Sequence, residues 1–247
     1  MIGNLIDGKH LRGKELNQKL NELYEKEPFK NLIATMQNQK SFEVNDLNPR
    51  KAYVFDAEFR EEDNMHFFSS SILHLVDEKE NISILYNELP NVQDHYFGQI
   101  LQPNSNALHE YLYDGGKVQN NQKNTELNKL AFSDDYEELP DNKNYKSGNL
   151  FNDQIETQSW FTGDGCLPGG YQHCGGNCGY DLDHGGGTPI NDTDDCCVAH
   201  DNCWKTYGDW DSCCDKRLIE CVAGHTTVAA ASIREVFTPS SLRCLFG

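Results

Sequence analysis

The chain has 247 residues, 21 basic against 39 acidic, for a formal charge of −18. Such a surface repels nucleic-acid phosphates and anionic lipid, so no nucleic acid is expected as a partner and a cation is the easier ligand to credit. The length suits one large or two modest domains, and no apolar run is long enough to span a membrane.

Between Gly13 and Gln39, Leu16, Leu20 and Leu23 recur at helical spacing, and Pro28 suits the first turn of a second helix. "AYVFDAEF" (52–59), "FFSSSILHLV" (67–76) and "ISILYNEL" (82–89) are rich in β-branched and aromatic residues, and "DEKEN" between the last two reads as a hairpin loop. Residues 1–115 are therefore expected to form an acidic α+β domain with antiparallel strands. From 116 to 153 the chain turns to Asn, Lys, Asp and Glu with little to bury, which predicts a loosely ordered polar linker.

Residues 154–247 differ again. All ten cysteines lie between Cys166 and Cys244, and none precedes them. An even number in so short a segment predicts a small, helical, disulfide-stapled domain made in an oxidising compartment. The opening "MIGNLIDGKHLRGKELNQKL" has no apolar core of the length a secretory signal needs, so a secreted or extracellular location is expected by an unidentified route. One helix is predicted over "NDTDDCCVAHDNCWKTY", stopped by Gly208, and another from Ser212 to Phe237 with an interruption at Gly224.

On the first of these helices Cys196, His200, Cys203 and Tyr207 share one face. A second, antiparallel helix stapled to it would bring Asp215 to His200. A carboxylate would then orient an imidazole whose other nitrogen is free to take a proton from water. Asp201 points about 100° away around the helix, where it can ligate a hard cation together with backbone carbonyls of the Gly-rich loop upstream.

The pattern C-C-x-x-H-D-x-C stands in full as Cys196, Cys197, His200, Asp201 and Cys203, and C-D-x5-C as Cys214, Asp215 and Cys221; Cys178-Gly179 lies in a glycine-rich loop upstream. On these residues the stretch from about 160 to 247 resembles the secreted phospholipase A2 family. The resemblance implies calcium-dependent hydrolysis of the sn-2 ester of glycerophospholipids at a bilayer or micelle surface, with His200 as the base, Asp215 its partner and Asp201 the calcium ligand. Alignment on Cys178-Gly179 implies that Asn177, Gly179 and Asp181 supply the loop carbonyls; alignment backward from Cys196 shifts these positions by a few residues, and both remain open. Trp204 stands where many members carry a tyrosine that helps hold the aspartate, which leaves Tyr207 or Tyr180 as substitutes. The short loop "WKTYGDWDS" looks like the compact plant-type forms. The resemblance also implies the pairs Cys178–Cys197, Cys196–Cys221 and Cys203–Cys214, with Cys166, Cys174, Cys213 and Cys244 forming two more.

Rival readings are weaker. A zinc cage fits adjacent cysteines poorly and leaves many over, and "DHGGG" (183–187) lacks the G-x-S-x-G that an esterase oxyanion hole would accompany. Asp181, Asp183, Asp192, Asp194 and Asp195 lack the spacing of an EF-type loop and read mostly as solvated acids and helix N-terminal charges. "SWF" (159–161), "CLP" (166–168) and "CLF" (244–246) suit core packing before they suit a membrane rim. The alternative function is a catalytically silent lipid- or receptor-binding module, and the N-terminal domain is expected to cover the enzyme or to bind an unknown protein partner.

Overall fold

The computed structural model describes residues 2–61, 64–132, 137–148, 165–167 and 169–246. Seven strands form one sheet in sequence order with every neighbouring pair antiparallel. They are β1 (Ile2–His10), β2 (Asn48–Glu61), β3 (Asn64–Val76), β4 (Ile82–Glu88), β5 (His95–Gln102), β6 (Ala107–Asp114) and β7 (Lys117–Asn124). Two helices, α1 (Gly13–Glu25) and α2 (Glu27–Gln39), interrupt the meander after β1, and Pro28 occupies the first turn of α2 as expected.

Alternation along each strand sends side chains to two faces. On one face Leu73, Leu75, Ile84, Tyr86 and Ile100 pack against Leu23, Phe29, Leu32, Ile33 and Met36 of the two helices. Gly98 of β5 makes this close approach possible, since a Cβ there would sit 2.3 Å from the Met36 sulfur. On the other face Tyr53, Phe55, Ala57, Phe68, Ile72, Leu85 and Phe97 meet Val228 and Ala231. Both faces are covered, which is why β4 is buried from Ile82 to Asn87, polar Ser83 and Asn87 included.

Val228 and Ala231 belong to the last of three helices, α3 (Asp192–Tyr207), α4 (Ser212–Cys221) and α5 (Val228–Ser241), which follow a short hairpin of β8 (Gly165–Cys166) and β9 (Gly175–Gly176). Five disulfides staple this region: Cys166–Cys178, Cys174–Cys197, Cys196–Cys221, Cys203–Cys214 and Cys213–Cys244. Two of the implied pairs are present; Cys197 is joined to Cys174 instead of Cys178, because the hairpin turns Cys178 back onto Cys166. Every cysteine is bonded, so none is a thiolate metal ligand, and so many bridges mark folding in an oxidising compartment. Among the described residues no helix is long and apolar enough to cross a membrane.

The stretch from Ser212 to Phe237 breaks around Gly224, as expected, into two helices. Residues 222–227 turn the chain, and the Thr227 side chain caps α5 by accepting from the Ala230 N–H at 3.0 Å. The stretch expected as a polar linker begins with a strand. Lys117–Asn124 is an edge strand paired with β6, since an edge needs backbone partners on one side only and tolerates polar side chains. Further along, the Tyr145 hydroxyl donates to the buried Asp56 carboxylate at 2.7 Å, and Tyr53 donates to the Pro140 carbonyl at 2.8 Å. The "SWF" stretch, Pro168 and the side chains of Leu245 and Phe246 lie outside the described residues.

Candidate active site

The helix carrying the motif begins with Asn191, whose side chain accepts from the Asp194 N–H at 3.0 Å. Asp194 is fully buried, not solvated as its acidic neighbourhood suggests. Its carboxylate accepts from the N–H groups of Gln172 (2.9 Å), His173 (2.8 Å), Cys174 (3.0 Å) and Ile190 (3.2 Å). Four N–H donors offset the burial of one charge, and they lock the 172–174 segment against the start of α3. The Cys174–Cys197 bridge fastens the same segment covalently.

Two bridges run between α3 and α4. Cys196–Cys221 joins the start of one to the end of the other, and Cys203–Cys214 does the reverse, so the helices are antiparallel as expected. Asp211 caps α4 by accepting from the Cys213 and Cys214 N–H groups, each at 3.0 Å. The staples set His200 opposite Asp215: His200 Nε2 donates to Asp215 Oδ1 at 2.9 Å, with both residues buried. This bond fixes the tautomer and leaves the lone pair on Nδ1. The His200 ring lies 4.3 Å from Trp204 and 5.2 Å, edge-on, from Phe237.

The second oxygen of Asp215 accepts from the Ser240 hydroxyl, on α5. Neither tyrosine named as a substitute does this: Tyr207 and Tyr180 are exposed, and the Tyr180 ring packs at a tilt against His173, 4.4 Å away. Trp204 Nε1 has no partner. Nothing in the sequence marks Ser240, which stands 25 positions beyond the aspartate it holds.

His200, Asp201, His173, Gly175, Trp204 and Phe237 line one cavity of about 70 Å³. Asp201 Oδ2 is buried without a hydrogen-bond partner, and burial together with the charge of Asp194 pushes its carboxyl up to about 7. A second buried atom, His173 Nδ1, is also unpartnered; His173 Nε2 donates to the Gly187 carbonyl at 2.8 Å, so Nδ1 is an acceptor. Both atoms flank Gly179. A Cβ on that residue would stand 2.9 Å from Asp201 Oδ2 and 3.6 Å from His173 Nδ1, and the backbone there has φ +151°. A buried carboxylate oxygen without a hydrogen-bond partner is one that a cation would satisfy, with His173 Nδ1 placed to accept from a cation-bound water.

The other expected loop ligands are placed differently. The Asn177 carbonyl accepts from the His184 N–H at 3.1 Å, and its side chain donates to Asp183 at 2.8 Å. Asp181 is exposed and faces Lys205 at 3.6 Å. The residues upstream of α3 that border the cavity with Asp201 are Leu167, His173, Cys174 and Gly175. Among the described residues no three His, Cys, Asp or Glu side chains converge as a metal cluster, so a cation here would rest on one carboxylate and backbone oxygens. No family model matches the chain, and no significant match is found among curated proteins or solved structures.

Proposed function

We propose that the chain is a secreted, calcium-dependent phospholipase A2 that hydrolyses the sn-2 ester of glycerophospholipids. The observation that carries this reading is the buried His200–Asp215 pair opening on the same cavity as the unpartnered carboxylate of Asp201. His200 Nδ1 takes a proton from water as the water oxygen bonds to the ester carbon, while Asp215 stabilises the imidazolium and keeps its orientation. When the tetrahedral species collapses, the bond to the glycerol oxygen breaks and that oxygen recovers the proton from His200, giving a fatty acid and a lysophospholipid. Asp201 and the carbonyls beside it would hold calcium, which when bound supplies positive charge opposite the developing oxyanion.

The surface around the cavity suits a lipid aggregate. Tyr180, Leu182 and Trp210 are each about half exposed; Tyr180 adjoins His173, Leu182 adjoins Gly179, and Trp210 lies 5.2 Å from Trp204. Apolar side chains grouped at a cavity mouth are a binding surface more often than an accident. One observation favours a silent lipid-binding module instead: the cavity is small, about 70 Å³.

Fatty-acid release from phosphatidylcholine vesicles decides between the two. Calcium-dependent release that His200→Gln abolishes, with the far-ultraviolet circular dichroism unchanged, supports the enzyme. Vesicle binding without release supports the silent module.

A further inference from the structure

The last helix faces two ways. Its inner side closes the cavity with Ser232, Ile233, Val236 and Phe237, and one turn further on Ser240 reaches Asp215. Its outer side lies on the N-terminal sheet, where Val228 and Ala231 join the core of β2, β3, β4 and β5. A single rigid element thus touches both the sheet and the proton-transfer pair.

Polar contacts fix the height and rotation of α5 on the sheet. Arg234 is buried to 1% exposure and donates to Asn87 Oδ1, at the end of β4, and to the carbonyls of Val222, Ala223 (3.2 Å) and His225 (2.6 Å). All of these partners are neutral. The next residue, Glu235, accepts from the Asn91 backbone N–H at 3.1 Å and from its side chain at 2.5 Å. A buried guanidinium keeps its position only while its acceptors hold theirs; the three carbonyls tie α5 to the end of α4, and Asn87 ties both to the sheet.

Asp215 needs such a reference. Its carboxylate has one oxygen on His200 and the other on Ser240; with the imidazole contact alone, the carboxylate plane could turn about its last bond. We propose that Ser240 is the positioning residue of the His200–Asp215 pair, and that the N-terminal sheet sets its place through the Asn87–Arg234 contact. This rests on the hydrolytic reading above. It gives the first half of the chain a role inside the site: it is the mount that holds the aspartate in register with the histidine.

The test is a double-mutant cycle in the full chain, with kcat and KM measured on phosphatidylcholine vesicles at saturating calcium. Ser240→Ala and Asn87→Ala are each expected to lower kcat about tenfold and leave KM within about twofold, because the contact is lost from the reacting pair and not from the lipid surface. In the Ser240→Ala background, Asn87→Ala should cost little more, since both act on one carboxylate. Ser240→Thr, which keeps the hydroxyl, should stay near wild type. If Asn87→Ala does not fold, Asn91→Ala takes its place in the cycle, removing the side-chain donor to Glu235 from an exposed position and keeping the backbone one, with a smaller loss expected. Independent losses that multiply to about a hundredfold, or an unchanged kcat in Ser240→Ala, would overturn the proposal.

A second readout does not depend on turnover. The His200 Nε2 proton, followed by nuclear magnetic resonance of histidine-labelled protein, should exchange with solvent several-fold faster in Ser240→Ala and in the chosen sheet variant, but not in Ser240→Thr. If that pattern holds and the wild type releases no fatty acid, the hydrolytic reading falls and the positioning role stands. If turnover is present but proton exchange is the same in all variants, the positioning role falls alone.

Discussion

Glu137 holds the first turn of α5 with both carboxylate oxygens, accepting from the Val228 N–H at 2.7 and 2.9 Å. It also receives Lys51 of β2 at 2.7 Å, and both charged side chains are almost wholly buried. The pair joins strand, connecting segment and helix at one point. Breaking a buried pair from one side typically costs about 3–5 kcal/mol, because the remaining charge is stranded. Glu137→Ala is therefore expected to lower the urea midpoint by a corresponding amount, and Lys51→Met added to Glu137→Leu should recover part of it. Equal stability of Glu137→Ala and wild type would remove the pair from the list of supports.

Acid should destabilise the fold through its buried histidines. Burial, followed by the nearby charge of Arg234, pulls His225 down from its ordinary 6.5 to about 4, and burial pulls His74 down to about 3. A depressed pKa means that the unfolded chain takes up protons that the native one refuses. The stability these groups contribute is therefore present above pH 6.5 and is lost as pH falls toward 4. For His225, which accepts or donates at Thr193 Oγ1 across 3.0 Å, the loss is on the order of 2–3 kcal/mol. His225→Asn should flatten the fall in melting temperature between pH 6.5 and 4, and a profile parallel to wild type would count against this assignment.

Reduction should act unevenly. The two bridges between α3 and α4 each contribute about 2–4 kcal/mol by restricting the unfolded chain, whereas the seven-stranded sheet contains none. Hydrogen exchange under reducing conditions is expected to show loss of protection across Asp192–Cys221 while β2 to β5 stay protected. Uniform loss along the chain would show that the sheet depends on the bridges too.

Trp210 offers a check on the lipid surface. If Tyr180, Leu182 and Trp210 settle on a bilayer, Trp210→Ala should weaken vesicle binding about tenfold, read by co-sedimentation, and leave hydrolysis of a short, monomeric substrate unchanged. Undiminished vesicle binding would exclude Trp210 from the contact.

The site was legible where local spacing fixes geometry. His200 and Asp215 could be paired because two helices with matching cysteines have one way to be stapled, and the structure brings them to 2.9 Å. Ser240 was not legible, because a serine far along the chain carries no pattern and only the tertiary path of α5 brings it near. Asp194 stands in the first turn of α3, as a helix N-terminal charge is expected to, but its burial is not legible, because it depends on a loop wrapping over it. The α1–α2 pair follows from leucine spacing and Pro28, and β2 to β4 from their β-branched and aromatic content. β7 did not, since "KVQNNQKN" is an edge strand held by backbone bonds alone, and polar composition hides such strands. The Cys174–Cys197 bridge departed from the implied pairing because two nearby cysteines in a glycine-rich loop compete for one partner, and the β8–β9 hairpin decides between them.

The position of α5 in the chain has a consequence for biosynthesis. The sheet face formed by Tyr53, Phe55, Phe68, Ile72, Leu85 and Phe97 is complete once β5 has emerged, yet its cover, Val228 and Ala231, follows more than a hundred residues later. At the usual pace of synthesis that gap lasts on the order of ten seconds. During its later part, once Cys166 and the cysteines after it have been made, an aromatic surface stands open while bridges can already form. A chaperone that shields this face until the last helix arrives would raise the yield of correctly bridged protein, and a chain stopped before Val228 would leave the ribosome with that surface bare.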